Sequence, residues 1–480
     1  MGLLITDLPQ DVLIVTFLCL PVEDILSLRQ TCRNLHAIGS ADYVWRRSVI
    51  SFDLPLDLPG DGIVASLSSN ELRIAVINAL KLDRKWRDPN LYPRKASCII
   101  SRCGAFVEAL QILPGGKWLI TFQVEQSSRT TVVSLWSLHD INRVAITFQT
   151  KFHGCITSHH AFHDRVRKEI TIAVGSRIDS GYDSVRVYKV SNHAPESLPS
   201  PAPVSVVLET QPRELVDFGL LLEVKICGDV VTVLFDNVMG REAQVLCFNT
   251  STRVRVVITG LGWLHASSVY FLFPQHFVFV GSGQSRELTL YDLPRSVLES
   301  SNVEDSRCEI GTPKLTWHLI QYVGSTTSLL PSDGPADSSS LQSSFALAGF
   351  PFFGYDDAPE TQMFVLRVAF HDITASGPSF SPTYASYKPS FANQQIRIGS
   401  SGCRAVWIAR CLDVEGCTLQ KFSAARTVRE QVFPATTSTL MPSFSGLPFN
   451  PQDCQCLAFD EVSCRLCASL PSGQVFALDY

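Results

Sequence analysis

The sequence predicts a multidomain α+β protein: a head of three short helices, a helical linker, then an all-β propeller over the rest of the chain. Three observations carry this. Apolar residues recur at helical spacing to about residue 50 and again near 68–86, where that period stops. From about residue 96 the chain turns to short strings rich in Val, Ile, Thr and aromatics. Seven of these strings have a partner of the same kind across a polar turn, and the hairpins repeat at intervals of about 40–60 residues or more, the sign of a propeller whose four-stranded blades bury their faces only on their neighbours. The expected division is a head at 1–50, a linker at 51–95 and a propeller of seven blades at 96–480.

In the head, Val12, Leu13, Val15, Phe17, Leu18 and Cys19 leave almost no polar face on the first helix. Val22 to Thr31 reads as a second helix, with Asp24 near its start, where a carboxylate suits the helix dipole. A third element runs from Arg33 through Ala37, is interrupted at Gly39 and resumes through Trp45. Three such helices bury little surface, so their excess of apolar residues points to a partner protein.

The residues that carry the head also carry a resemblance. Leu8-Pro9, Asp11-Val12-Leu13, Phe17, Leu20-Pro21, Asp24, Leu26, Leu28-Arg29 and Cys32-Arg33, with Trp45 downstream, are similar to an F-box over positions 5 to 49. Val15-Thr16 before Phe17 departs from the more regular Ile-Phe pair of that family. The resemblance implies docking on a Skp-type adaptor and, through it, a cullin. It assigns Leu8, Pro9, Val12, Leu13, Phe17, Leu20, Pro21, Leu26, Cys32 and Trp45 to forming or supporting the adaptor-facing surface, with Phe17 as its anchor.

Composition narrows the alternatives. The chain has 480 residues, 45% hydrophobic and 18% charged, which is globular and long enough for more than one domain. A net charge of −5 and a pI near 6.1 give no electrostatic footprint for nucleic acid or an anionic membrane surface. No apolar run approaches the roughly 18 residues that span a bilayer. Asp7, Pro9 and Asp11 inside the first apolar segment argue against a signal peptide. Fifteen scattered cysteines suit reduced thiols, so cytosol or nucleus is the expected compartment.

In the linker, 52–62 is a Pro/Gly/Asp-rich connector. Ser68 or Ser69 then caps a helix with Glu71 in its first turn and Leu72, Ala75, Val76, Ala79 and Leu80 on one face. It ends among Arg84, Lys85, Trp86, Arg87, Tyr92, Arg94 and Lys95. Basic and aromatic residues together can bind single-stranded nucleic acid, but the expectation here is Trp86 packed on the next domain with the charges solvated. Asp88-Pro89 marks the boundary.

The hairpins are KWLITFQ with TVVSLWSL (117–123, 131–138), EITIAVGS with SVRVYKV (169–176, 184–190), DVVTVLF with AQVLCFN (229–235, 243–249) and HFVFVGS with ELTLYDL (276–282, 287–293). Three follow: FALAGF with FVLRVAF (345–350, 364–370), AVWIARC with TLQKFSA (405–411, 418–424), and CRLCASL with QVFALDY (464–470, 474–480). PGGKWLITFQ with VVSLWSL, and GSGQSRELTLYDL, resemble degenerate WD repeats in blade plan. QVFALDY reads as a third strand, and 96–101 is the expected fourth, a closure that would fix the head at a definite place on the propeller. Stretches 192–205, 324–344 and 376–393 are Ser/Pro-rich and read as surface loops.

Chemical motifs are sparse. No phosphate loop, His-Glu-x2-His or Gly-x-Ser-x-Gly elbow occurs, and Gly281-Ser282-Gly283 reads as a hairpin turn. His159, His160 and His163 with Asp164 read as an exposed loop cluster in place of a metal site. Cys454, Cys456, Cys464 and Cys467 have spacing that a zinc ion would accept, but the strand-like segment between them favours buried structural thiols. Asn249-Thr250-Ser251 is a glycosylation acceptor only in a secreted protein. No catalytic residue, cofactor or metal is therefore assigned. As the resemblance implies, the expected function is the substrate receptor of an SCF-type (Skp–cullin–F-box) ubiquitin ligase, non-enzymatic itself, whose propeller binds an unidentified target protein. The alternatives are an F-box scaffold outside any ligase and a propeller-fold hydrolase.

Overall fold

The computed structural model describes every residue except 1–4, 6–7, 51, 59–63, 102–104, 126–127, 179–180, 192–203, 211–214, 216–217, 238–241, 262–268, 273–275, 281–286, 295–296, 298–305, 311–312, 314, 319–329, 332–342, 350–360, 371–377, 388–390, 393–395, 400, 411–416, 429–430 and 441–446. The Gly281-Ser282-Gly283 turn and most of the Ser/Pro-rich stretches lie outside the described residues.

The head opens with α1 (Gln10–Cys19), α2 (Val22–Leu28), α3 (Arg33–Ile38) and α4 (Asp42–Ile50). The expected third helix is thus two, and the head has four. The break falls at Gly39, where only glycine fits: a Cβ there would lie 2.7 Å from the Phe17 ring and 2.4 Å from the Arg29 stem. The Gly39 carbonyl instead accepts a hydrogen bond from Trp45 Nε1 at 2.9 Å, which turns α4 back over the core. The linker helix α5 (Ser69–Trp86) starts at a full capping box, with Ser68 Oγ accepting from the Glu71 N–H at 3.3 Å and Glu71 Oε2 from the Ser68 N–H at 2.9 Å.

Each of the seven expected hairpins is an antiparallel strand pair. Each belongs to a sheet of four or five strands, and these sheets follow one another along the chain. The last is completed from the other end of the β-region. Lys95–Ile100 pairs antiparallel with Val475–Asp479, joining Arg465–Ser469 and Cys456–Asp460. The ring is therefore closed by hydrogen bonds between the segment just after the linker and the last strand.

Hydrophobic cores lie between successive sheets. Phe122, Val133, Ile170 and Ile172 fill the space between the first two sheets after the linker. Val185, Val187, Val231 and Phe235 do so between the next two. On the other side, Val107 and Ile112 meet Ala458 and Val475 of the closing sheet, while Val406 and Ile408 meet Leu457 and Leu466. A sheet buried on both faces by its neighbours, in a ring shut by a borrowed strand, is a β-propeller.

One expectation is overturned here. Much of 376–393 is no loop: Pro378–Tyr387 pairs with Thr361–Phe370 over ten residues as the last strand of its sheet. Pro378 and Pro382 lack N–H groups, which an outermost strand tolerates because one of its edges has no partner to bond.

Candidate functional site

The head sorts its apolar residues onto two faces. Leu13 and Phe17, four apart on α1, face inward with Val22, Ile25, Leu35, Ile38, Val44 and Trp45. The Arg29 guanidinium lies over the Trp45 ring at 5.8 Å and donates to Ser40 Oγ at 2.8 Å, so its stem serves as core filling. The other face of α1 exposes Val12, Val15 (60% exposed) and Leu18, with Cys19 and the acidic Asp11 beside them and Leu8 exposed just before the helix. The spacing from Val12 to Val15 to Cys19 makes one continuous helical stripe.

The ten predicted site residues divide accordingly. Leu8, Pro9, Val12 and Pro21 are exposed; Leu20, Leu26 and Cys32 are half-buried; Leu13, Phe17 and Trp45 are in the core. Phe17, expected as the anchor of that surface, is 1% exposed and packs in the head's own interior. Pro9 and Pro21 immediately precede α1 and α2, with φ −54° and −58°, so each starts a helix with a rigid residue that has no N–H to leave unbonded. Sequence reasoning missed Val15 and Leu18 as surface residues. The signal was present: a helix apolar on all sides, only one of which a small core can cover.

The linker fastens this head to the propeller. Trp86 is buried, stacks on Phe459 at 5.3 Å between ring centroids, and donates Nε1–H to the Phe422 carbonyl at 2.9 Å. Trp86 thus packs on the propeller as expected, and Arg84 and Lys85 are exposed, but the charges are not all solvated: Arg87 pairs with Asp83 at 3.1 Å and donates to the Ala424 carbonyl at 2.7 Å, and Arg94 donates to the Tyr480 carbonyl. Lys421 donates Nζ–H to the Trp86 carbonyl at 2.6 Å and so caps the C-terminus of α5, where a cation suits the helix dipole. Burial lowers the Lys421 pKa to about 8. The turns that meet the head and linker are equivalent ones: Gly115, Arg165, Cys403 and Cys464 each lie in the turn that leads into the first strand of the hairpin of their sheet. They share one face of the ring. Turns such as 128–129, 181–182 and 470–474, between second and third strands, lie on the opposite face.

The histidine and cysteine clusters lie within the sheets and the turns between them. His159, His160 and His163 lie on the strand Cys155–Asp164 and not on an exposed loop. His160 is buried and its Nδ1 accepts the Ile226 N–H at 3.1 Å, which fixes the neutral ring; burial holds its pKa well below the usual histidine value. His163 falls to about 4 through burial and the nearby Arg165 charge. His159 packs on Phe122 at 4.4 Å. Cys456 Sγ donates to the Glu108 carbonyl at 3.1 Å, and burial pushes the Cys454, Cys464 and Cys467 thiols up to about 12, against thiolate formation. Among the described residues no group of three or more His, Cys, Asp or Glu side chains has a metal-binding arrangement.

Residues 5–51 match the F-box-like family model. No curated protein matches the chain. Among solved structures, the chain is similar to the β-propeller domain of Myceliophteria thermophila Cps50 (Swd1), with a TM-score of 0.44 at 8% identity over 81% of this chain and 99% of that one. The chain thus joins a segment that matches the F-box-like model to a β-propeller.

Proposed function

We propose that this protein is the substrate receptor of an SCF-type ubiquitin ligase. The observation that carries the proposal is the exposed apolar stripe Leu8, Val12, Val15 and Leu18, set within the segment that matches the F-box-like model. A small head presents such a patch to water at a cost unless a partner covers it. Leu8, Pro9, Val12, Leu20, Pro21, Leu26 and Cys32 form or flank the surface for a Skp-type adaptor, while Leu13, Phe17 and Trp45 hold α1 in place behind it. The propeller, read as seven blades with one for each sheet of four or five strands, binds the target protein on the face away from the head. Its role is proximity: a target held beside a ubiquitin-loaded enzyme recruited by the cullin reacts at raised effective concentration. The division into head 1–50, linker 51–95 and propeller 96–480, and residence in cytosol or nucleus, are parts of the same proposal.

Co-purification of the full chain with a Skp-type adaptor and a cullin tests it, wild type against Leu8→Ala with Pro9→Ala. The expected result is a complex of all three with wild type and loss of both partners in the variant at unchanged propeller melting. Adaptor binding without cullin would support a scaffold outside the ligase. Capture of neither by wild type would overturn the proposal.

A further inference from the structure

Separate modules joined by a Pro/Gly-rich connector would be expected to swing. The contacts between head and propeller argue otherwise. Asp83, on α5, has a side chain only 8% exposed and sits among three guanidiniums. Arg87 Nε lies 3.1 Å from it, Arg426 Nη1 3.6 Å and Arg404 Nη2 3.7 Å. Arg404 is on a central strand of the propeller, Arg404–Arg410, and Arg426 begins the hairpin strand Arg426–Val428. The same Arg426 reaches a head helix directly: its Nη2 is 2.7 Å from Glu23 Oε1 on α2, and its guanidinium lies 5.8 Å from the Phe52 ring. One guanidinium, that of Arg426 on the propeller, therefore joins Asp83 of the linker helix to Glu23 of the head, with the charges mostly out of water, where removing one member leaves the others uncompensated.

A single cluster is a pivot; several contacts spread over a base are a weld. The connector supplies the spread. Cys403 Sγ donates to the Asp53 carbonyl at 3.2 Å, and Leu54 is buried against Cys403 and Ala79. Five residues on, the Leu58 carbonyl accepts from Arg165 Nη1 at 2.9 Å, and the same guanidinium donates to the Pro114 carbonyl at 3.1 Å. Cys403 and Arg165 belong to sheets separated by two others in the closed ring. Residues 53–58, held at one end by Cys403 and at the other by Arg165, thus form a strap between two turns on one face of the propeller.

We propose that head, linker and propeller are one rigid lever, with Asp83 and Arg426 as the residues that set its angle. The proposal rests on the receptor reading for its purpose, which is to present a target at one fixed distance and direction from the adaptor. It does not rest on that reading for its test, which uses the free full-length chain and no adaptor.

Spin-labelled amino acids are encoded at Arg47 on α4 and Val206 on an outer propeller strand, both exposed, and their distance distribution is measured by double electron–electron resonance. Encoded labels avoid the thirteen free cysteines among the described residues. Wild type should give one narrow distance peak. Asp83→Asn and Arg426→Gln should each broaden it at least twofold, and Glu23→Gln less. The Glu23→Gln/Arg426→Gln double variant should be no broader than Arg426→Gln, because the two side chains share one interaction. Should Asp83→Asn fail to fold, the less buried Glu23 and Arg426 substitutions still decide. A broad wild-type distribution, or variants as narrow as wild type, would overturn the lever.

Discussion

Helices α1 and α5 have opposite relations to the rest of the molecule. The first, QDVLIVTFLC, is apolar almost all round, yet only Leu13 and Phe17 are fully buried. The second, SNELRIAVINALKLDRKW, is amphipathic, and its apolar side is satisfied within the chain through Leu72, Ala75, Val76, Ala79 and Trp86. Its outer side carries Lys81, Arg84 and Lys85. A helix whose pattern and burial agree is a fastening; a helix whose apolar surface exceeds its burial is unfinished until something docks on it. Hydrophobicity alone would rank α1 as the core element. Burial reverses the ranking.

The contrast can be broken by substitution. Trp86→Ala should cost the most, about 3–5 kcal/mol, since it leaves a large cavity under α5 and removes the donor to the Phe422 carbonyl. Denaturant titration of the full chain reads this as a lowered midpoint. Phe17→Ala should cost nearly as much, about 3 kcal/mol, but in the head, so its unfolding should separate from that of the propeller by hydrogen exchange. Equal protection in head and propeller would show that Phe17 does not anchor the head.

Acid should act on the propeller. The folded pKa values of His163, about 4, and of His160 lie below the usual 6.5, so the unfolded chain takes up protons first as pH falls. Their contribution to stability is full above pH 6.5 and for His163 is lost progressively down to about 4. His163→Asn should therefore make the stability–pH curve shallower between those limits, as followed by melting at a series of pH values.

Ser68→Ala removes half of the capping box and should cost about 1 kcal/mol, seen as a small drop in the melting temperature. Val15→Ser should change stability least, within about 0.5 kcal/mol, because the side chain is already in water. It should nonetheless weaken capture of the Skp-type adaptor. A large loss of stability with unchanged capture would place Val15 in a core and undo the distinction between the two helices.

Much of this was legible in the residues. Period-3.6 patterning located α1, α2 and α5, Ser68 with Glu71 marked the start of α5, and paired strings of β-branched and aromatic residues located all seven hairpins. Even the closing strand could be placed, because a third strand at 474–480 needs a fourth and 96–101 was the segment at hand. These are local signals, set by a side chain's neighbours along the chain. The strand at Pro378–Tyr387 escaped for the same reason: its Pro and Ser residues have low strand propensity, and only pairing with Thr361–Phe370 makes it a strand.

What the sequence determined by itself was the order of elements and the F-box-like register of the head. The tertiary structure alone decided which side of α1 meets water. Leu13 and Val12 are chemically alike neighbours, and their fates diverge because Trp45, Leu35 and Ile38 arrive on one side and, among the described residues, none covers the other. It also decided that Asp83, Arg404, Arg426 and Glu23, far apart in sequence, share one charge cluster. Ion pairs of this kind have no periodicity to read. They exist only where folding brings the charges together and excludes the water that would otherwise screen them.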